Sequence, residues 1–172
     1  EVSESGDYSV EVANGNNAIY INENSTLTSD NVFEGYSGDD FSILVDVKLE
    51  EQGILFQSAS PHATITYTPT CGCGAITGDF TEPSISFRTW SGGWTVISIP
   101  ITEIDISNCI NIAGVYEGNT LKLYINGILV DSLNGSVANA SGNDWIGGDG
   151  FTGSIDNLSI FNSALSSSDI LN

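Results

Sequence analysis

From Ile110 the chain reads INIAGVYEGNTLKLYINGILVDSL, and its apolar positions recur with a period of two. Leu121, Leu123 and Ile125 alternate with Lys122, Tyr124 and Asn126, the pattern of a strand with one buried face. Asn126-Gly127 follows, and both residue types accept the positive φ that a two-residue hairpin turn requires. That turn sets Ile125 opposite Ile128, Leu123 opposite Val130, and Lys122 opposite Asp131 as a cross-strand charge pair. Gly118-Asn119 is a second turn signal joining the preceding apolar run, 112–116. The whole stretch predicts a three-strand antiparallel meander.

The same alternation runs through the rest of the chain. Tyr8, Val10 and Val12 predict a first strand, Asn14-Gly15 a turn and 18–21 a second short strand, while the polar stretch 22–31 predicts a loop. Phe33 and Tyr36 lead into Gly38-Asp39-Asp40, after which 41–49 reads as a long strand, 50–53 as a turn and 54–59 as the return. Residues 63–68 predict a strand ended by Pro69, and 70–83 a glycine-rich loop. Residues 85–90 and 94–99 flank Ser91-Gly92-Gly93 as a further hairpin. Near the end, Ser166 and Asp169 have the spacing of a capping box, with Leu165 and Ile170 as its hydrophobic staple. This predicts one short helix, packed on a sheet edge.

Three segments carry a resemblance. AGVYEGNTLKLYINGILV is similar to the central hairpin of the laminin-G-like, concanavalin A-like lectin/glucanase superfamily. WIGGDGFTGSIDNLSIFNSALSSSDI resembles that family's closing strand and terminal helix, and FSILVDVKLEEQGILFQSA its early strand pair. The region from about Ser60 to Ser107 matches poorly. The resemblance implies an all-β fold, a jelly-roll-like sandwich of two antiparallel sheets with one short C-terminal helix, spanning 1–172 as a single domain. It does not imply one function, because such sandwiches host lectins, adhesion modules and hydrolases.

Length and composition agree with that architecture. The chain has 172 residues, 40% of them hydrophobic, enough for one sandwich with a real core. No apolar run is long enough to span a membrane as a helix. The chain begins at Glu1 without Met and is expected to be a mature form, or a domain, of a larger secreted or surface protein. Lys48, Arg88 and Lys122 are the only basic residues against 22 acidic ones, for a net charge of −19. That field repels nucleic acid and anionic membranes and suits Ca²⁺, or simply keeps the protein soluble outside the cell. Cys71, Cys73 and Cys109 are an odd set. The expectation is one disulfide from Cys109 to either Cys71 or Cys73, because Cys71 and Cys73 are too close in sequence to bridge easily and the ligand spacing of a zinc site is missing.

Candidate chemistry is sparse. In the last strand, alternation sets Asp156 on the same face as Leu158 and Ile160, where a carboxylate needs a cation or several donors. The resemblance implies a structural Ca²⁺ held by Asp156 and the loop 35–40, with Gly35 contributing and Asp39 or Asp40 adding a carboxylate. The other reading is a carboxylate bonded to amides or water at the strand's open end. Glu103-Ile104-Asp105-Ile106 resembles the catalytic E-I-D-I of laminarinase-type and lichenase-type glycoside hydrolases, whose second carboxyl would fall here on Ser107 or Asn108. Neither can protonate a leaving group, so the pair reads as loop or strand-edge carboxylates. His62 stands alone, and no nucleophile elbow or phosphate loop is present.

The tryptophans are the other candidates. Trp90 and Trp94 flank one hairpin tip, and Arg88 shares the face of Trp90 by alternation. Trp145 is either core at a strand start or part of a rim site with Asn143, Asp144 and Asp149. An aromatic platform with a few amides and charges is the chemistry of a sugar site. The expected function is a non-catalytic, calcium-stabilised carbohydrate-binding or adhesion module, with a glycan or glycoprotein partner. The alternatives are a structural or protein–protein interaction domain of a cell-surface or viral protein and, last, a glycan hydrolase or lyase.

Overall fold

A computed structural model of the chain describes residues 2–5, 8–13, 16–33, 36, 38–59, 61–68 and 82–171, with side chains described from residue 18 onward. Its strands are β1 (Val2–Ser5), β2 (Tyr8–Ala13), β3 (Asn16–Ile21), β4 (Thr26–Ser29), β5 (Phe41–Glu51), β6 (Gly53–Ser58) and β7 (Ala63–Thr68). They continue with β8 (Ser84–Trp90), β9 (Trp94–Pro100), β10 (Ile110–Glu117), β11 (Thr120–Ile125), β12 (Ile128–Asn134), β13 (Asp144–Ile146) and β14 (Thr152–Phe161). Among the described residues these form two seven-stranded sheets, ordered β1-β4-β13-β6-β7-β8-β9 and β12-β11-β10-β5-β14-β3-β2. Neighbouring strands run antiparallel, from the β6–β7–β8–β9 meander in the first sheet to β11–β10–β5–β14 in the second.

The core lies between the sheets. Ile43, Val45, Val47 and Leu49 of β5 alternate inward, as do Ile110 and Ile112 of β10, and they face Ile65, Ile85, Phe87, Ile97 and Ile99 of the first sheet. Each such side chain removed from water contributes about 1.5–3 kcal/mol before chain entropy is counted. The sheets approach closely where Phe87 lies over Gly114. A Cβ built on Gly114 would meet the Phe87 ring at 2.5 Å, so only glycine fits at that place in β10. One side of the sandwich is closed by the two edge strands, where the Ser98 amide of β9 donates to Asp131 Oδ2 of β12 at 3.1 Å.

The meander forms as expected, with one change of register. Ile125 pairs Ile128, and both Asn126 and Gly127 take positive φ. A bulge between Leu123 and Tyr124 then moves Leu123 opposite Asp131 instead of Val130, and Lys122 opposite Ser132. Lys122 therefore pairs with Glu117 rather than with Asp131. The stretch 22–31 is not all loop either, because β4 lies within it and joins β1 to β13.

The capping box is present, with Ser166 and Asp169 exchanging bonds around the helix α1 (Ser167–Ile170). This helix does not pack on a sheet edge. Ile170 is buried on the outer face of the second sheet against Leu44, Ala113, Val115 and Tyr124. Ser42 fixes the approach, its hydroxyl donating to Ser163 O and accepting from Leu165 N. The helix covers only the Leu44 end of β5's outward side and leaves Asp46 and Lys48 open.

Candidate functional site

On the first sheet the unbroken alternation of β7, β8 and β9 carries a set of side chains away from the core. Trp90 pairs directly with Trp94. Their rings sit 5.3 Å apart, edge to face, and His62 lies 5.0 Å from Trp94 and 6.3 Å from Trp90. All three rings are half-buried, beside the exposed tip Ser91-Gly92-Gly93. Residues near Ala138 brace this end through backbone bonds, His62 N to Ala138 O and Ala138 N to Trp90 O. Burial holds the His62 imidazole below its ordinary pKa of 6.5. The result is a three-ring aromatic end bordered by glycines and polar loop residues, a surface suited to the CH face of a ring-shaped polar ligand.

The next row of the same face runs Trp145, Gln57, Thr64, Arg88 and Val96, each paired with its neighbour. Register thus places Trp145 and Arg88 on the face that carries Trp90, with Trp145 three strand spacings from Arg88, about 14 Å. Trp145 is not core; it is 42% exposed. Arg88 differs from expectation, because it is only 1% exposed. Its Nε donates to Ser86 Oγ at 2.9 Å and its Nη2 to Thr68 Oγ1 at 3.3 Å. Arg88 is therefore a buried polar support and not a group offered to a surface ligand.

Asp144 is likewise no rim residue. It is fully buried, and its carboxylate accepts from Val32 N at 2.6 Å, Ser58 Oγ at 2.9 Å and Ala59 N at 3.0 Å. Those three donors are the compensation a buried carboxylate requires, and they tie β13 to two loops. Asn143 stays exposed beside it.

On the second sheet Asp156 does not share the face of Leu158 and Ile160. Ile155 points into the core and Asp156 outward opposite Asp46, and then the register of β14 shifts before Ser159. Asn157 at the shift has φ 47°, a left-handed conformation that asparagine tolerates. One extra residue reverses the parity, so Leu158 and Ile160 return to the core side while Asp156 does not. Asp39 and Asp40 are elsewhere. Asp39 O accepts from the Tyr36 hydroxyl at 2.7 Å, and Asp40 Oδ1 from Gly118 N at 2.9 Å. Burial, and then Tyr116, Asp39 and Asp40, push the Tyr36 hydroxyl up to about 12. Asp40 precedes β5, six residues before the Asp46 that faces Asp156, a separation of about 20 Å along a strand. The expected calcium ligands do not converge and this set does not fit the ion. Gly35 lies outside the described residues. Among the described residues no three or more His, Cys, Asp or Glu are grouped to hold a metal ion.

What Asp156 does join is an open groove of about 320 Å³ on the outer face of β10, β5 and β14. Sequence reasoning missed this place. Its one signal was the pair of charged positions, Asp46 and Lys48, alternating with the apolar Val45, Val47 and Leu49. Cys109 also lines the groove, half-buried and with a free thiol; Cys71 and Cys73 lie outside the described residues. Glu103 ends a 3-10 turn, Ile101–Glu103, and Asp105 follows in an irregular segment. Hydrogen bonds from Ser107 hold the Asp105 carboxyl below its usual range. The two acids are therefore not alternate residues of one strand.

Comparison with known proteins places this geometry. No curated protein matches the sequence. Among solved structures, domain 4 of AbnA, a GH43 extracellular arabinanase from Geobacillus stearothermophilus in complex with arabinotriose, is similar at TM-score 0.72 and 19% identity, over 99% of this chain and 85% of that one. The botulinum neurotoxin serotype D ligand binding domain in complex with N-acetylneuraminic acid is similar at TM-score 0.75 and 12% identity, over 99% of this chain and 44% of that one. A botulinum neurotoxin type C structure, described by cell entry dependent on two ganglioside molecules, gives TM-score 0.70 and 16% identity, again with 99% of this chain and 45% of that one. The chain thus spans under half the length of the toxin chains, and at these identities the likeness is one of fold. A family model described as the concanavalin A-like lectin/glucanases superfamily matches residues 75–171, more than half of the sequence, and the chain belongs to that superfamily.

Proposed function

We propose that this domain is a non-catalytic carbohydrate-binding module of a larger secreted or surface protein, and that it holds glycan against the aromatic end of the first sheet. The observation that carries the reading is the cluster of Trp90, Trp94 and His62, three mutually packed rings left half-exposed outside a core of aliphatic and phenyl groups. Rings kept partly in water and braced by backbone bonds are pre-organised for stacking. A sugar then loses little affinity to ordering the protein. Exposed Asn139 directly follows Ala138, whose backbone braces that end. The fold neighbours give further support, since one holds arabinotriose and another N-acetylneuraminic acid. Acidity at net −19 fits an extracellular setting, and the partial coverage of the toxin chains fits a multidomain parent.

Stacking with few polar contacts limits affinity, so the Kd is expected to be micromolar or weaker, about −8 kcal/mol or less in magnitude. A broad glycan array followed by calorimetry on the leading glycan, with wild type and Trp94→Ala, tests the reading. Trp94→Ala is expected to abolish binding while circular dichroism stays unchanged. A blank array for a folded wild type would contradict it and leave an interaction role. The exposed Ile128, Leu129 and Leu133 on edge strand β12 are the surface that would serve such a role.

A further inference from the structure

The groove on the second sheet is built from one transverse row. Asn126, at the hairpin turn, accepts from Asn111 N through Oδ1 at 2.9 Å and donates its own amide to Asn111 O at 2.8 Å. Asn111 pairs with Asp46, and Asp46 with Asp156. Both oxygens of Asp46 are held by amides, Oδ1 by Asn111 Nδ2 at 2.8 Å and Oδ2 by Asn157 Nδ2 at 2.9 Å. Asp156 Oδ1 accepts from Asn157 N at 2.8 Å. Two carboxylates therefore face each other across neighbouring strands, a placement that costs stability unless donors lie between them. The Asn111 Nδ2 bond fixes the direction of the other end of that amide, and Asn111 Oδ1 is buried without a donor. A buried acceptor in that state is also unfavourable.

We infer that this row, with Asp46 and Asp156 as acceptors and Asn111 oriented between Asn126 and Asp46, is a second binding site, for a neutral hydroxyl-rich ligand such as a sugar residue. Each carboxylate has about four lone-pair sites and uses only some of them here, so hydroxyl donors can share both acids. Hydroxyls also accept, which matches the ammonium of Lys48 in the lining; it pairs with Glu50 at 3.4 Å and has three N–H donors to share. Tyr20 shares the face by its pairing with Ser154, and its hydroxyl bonds Glu50, which leaves a half-buried ring at the border. At about 320 Å³ the groove is within the range of small-molecule sites, about 300–1,000 Å³.

The same features select against other ligands. Anions meet two carboxylates and a chain of net charge −19. A bare divalent ion wants six or more oxygens close around it, whereas this groove is wide, carries Lys48, and has both Asp46 oxygens already bonded to amide hydrogens. The bulge at Asn157 has a role in this account: it turns Asp156 outward and delivers the second amide to Asp46. The site stands apart from the aromatic end and does not depend on a ligand there.

The test is a ¹⁵N NMR titration of the whole chain with D-glucose, D-galactose and L-arabinose separately, and with CaCl₂ and D-glucuronate as further probes. The side-chain amides of Asn111, Asn126 and Asn157 are expected to shift saturably with at least one neutral sugar. Glucuronate and Ca²⁺ are expected to leave them in place. Asp46→Ala is expected to weaken the response by about tenfold or more, as loss of a charged acceptor does. Asp156→Ala serves where Asp46→Ala does not fold. Amides that stay fixed with every sugar up to about 50 mM, well beyond a millimolar Kd, overturn the site. So does a shift by Ca²⁺ alone, which makes the row a cation site. Sugar shifts confined to the indole signals overturn the groove and leave the aromatic end standing. Groove shifts without indole shifts uphold the groove and remove the aromatic end.

Discussion

The two sheets of this sandwich treat the polar side chains on their outer faces in opposite ways. On the first sheet the one arginine is sealed at 1% exposure among threonine and serine hydroxyls, and the rings around it stay half-exposed. On the second sheet the charged groups Asp46, Asp156 and Lys48 line an open groove, and the apolar side chains of that face are covered by the terminal helix. Strand continuity separates β7, β8 and β9 from β12 and β14. Through β7, β8 and β9 the pairing from Ala63 to Pro100 has no break, so alternation in the sequence is alternation in space. In β14 and β12 one added residue reverses the parity.

The largest expected effect comes from unsealing the first face. Arg88→Ala removes a fully buried side chain and takes one donor each from the Ser86 and Thr68 hydroxyls. A loss of about 4 kcal/mol in denaturant unfolding is expected, the range of a large core truncation with unpaired polar groups. A variant as stable as wild type would mean that the guanidinium is not sealed.

Asp156→Asn makes the matching change on the open face. Its carboxylate is half-exposed and opposes a like charge, so the substitution is expected to raise stability slightly, by less than about 1 kcal/mol. A loss of several kcal/mol on the same assay would show Asp156 held by a partner, and a loss that chelator abolishes, by lowering the wild type to the variant's stability, would restore a metal at this residue.

The smallest effect concerns pH. The folded pKa of His62 lies below its unfolded value near 6.5, so the native state binds fewer protons than the unfolded chain between those two values. The His62 contribution is intact above 6.5, declines as pH falls through that value and levels off below the folded pKa. His62→Phe should flatten this part of the pH–stability curve, while a curve identical to wild type would show that the imidazole is not desolvated beside the indoles.

Much of the fold was legible because its signals are local. Asn126-Gly127, Gly118-Asn119 and the Ser166–Asp169 box act within a few residues, and the 63–68 strand needs only its own alternation. What was not legible depends on distant partners. β13 has three residues and exists because β4 and β6 lie on either side. Asp144 is buried because Val32, Ser58 and Ala59 bring donors to it. Gly114 is glycine because Phe87 crosses from the other sheet. Of the candidate site, the Trp90–Trp94 pair and the shared face of Arg88 followed from alternation, whereas the burial of Arg88 and the bulge that redirects Asp156 did not. Nor did His62, whose place against the indoles is set by the return of β7 beside β8.

The central claim is that glycan is held at the aromatic end of the first sheet, and the chain's three tryptophan indole N–H signals report on it directly. In a ¹⁵N NMR titration with the leading array glycan, Trp90 and Trp94 are expected to shift saturably with a common Kd, and Trp145, which lies strands away, to shift less or not at all. Shifts of Trp145 alone, or no indole shift with a glycan that binds, would contradict it.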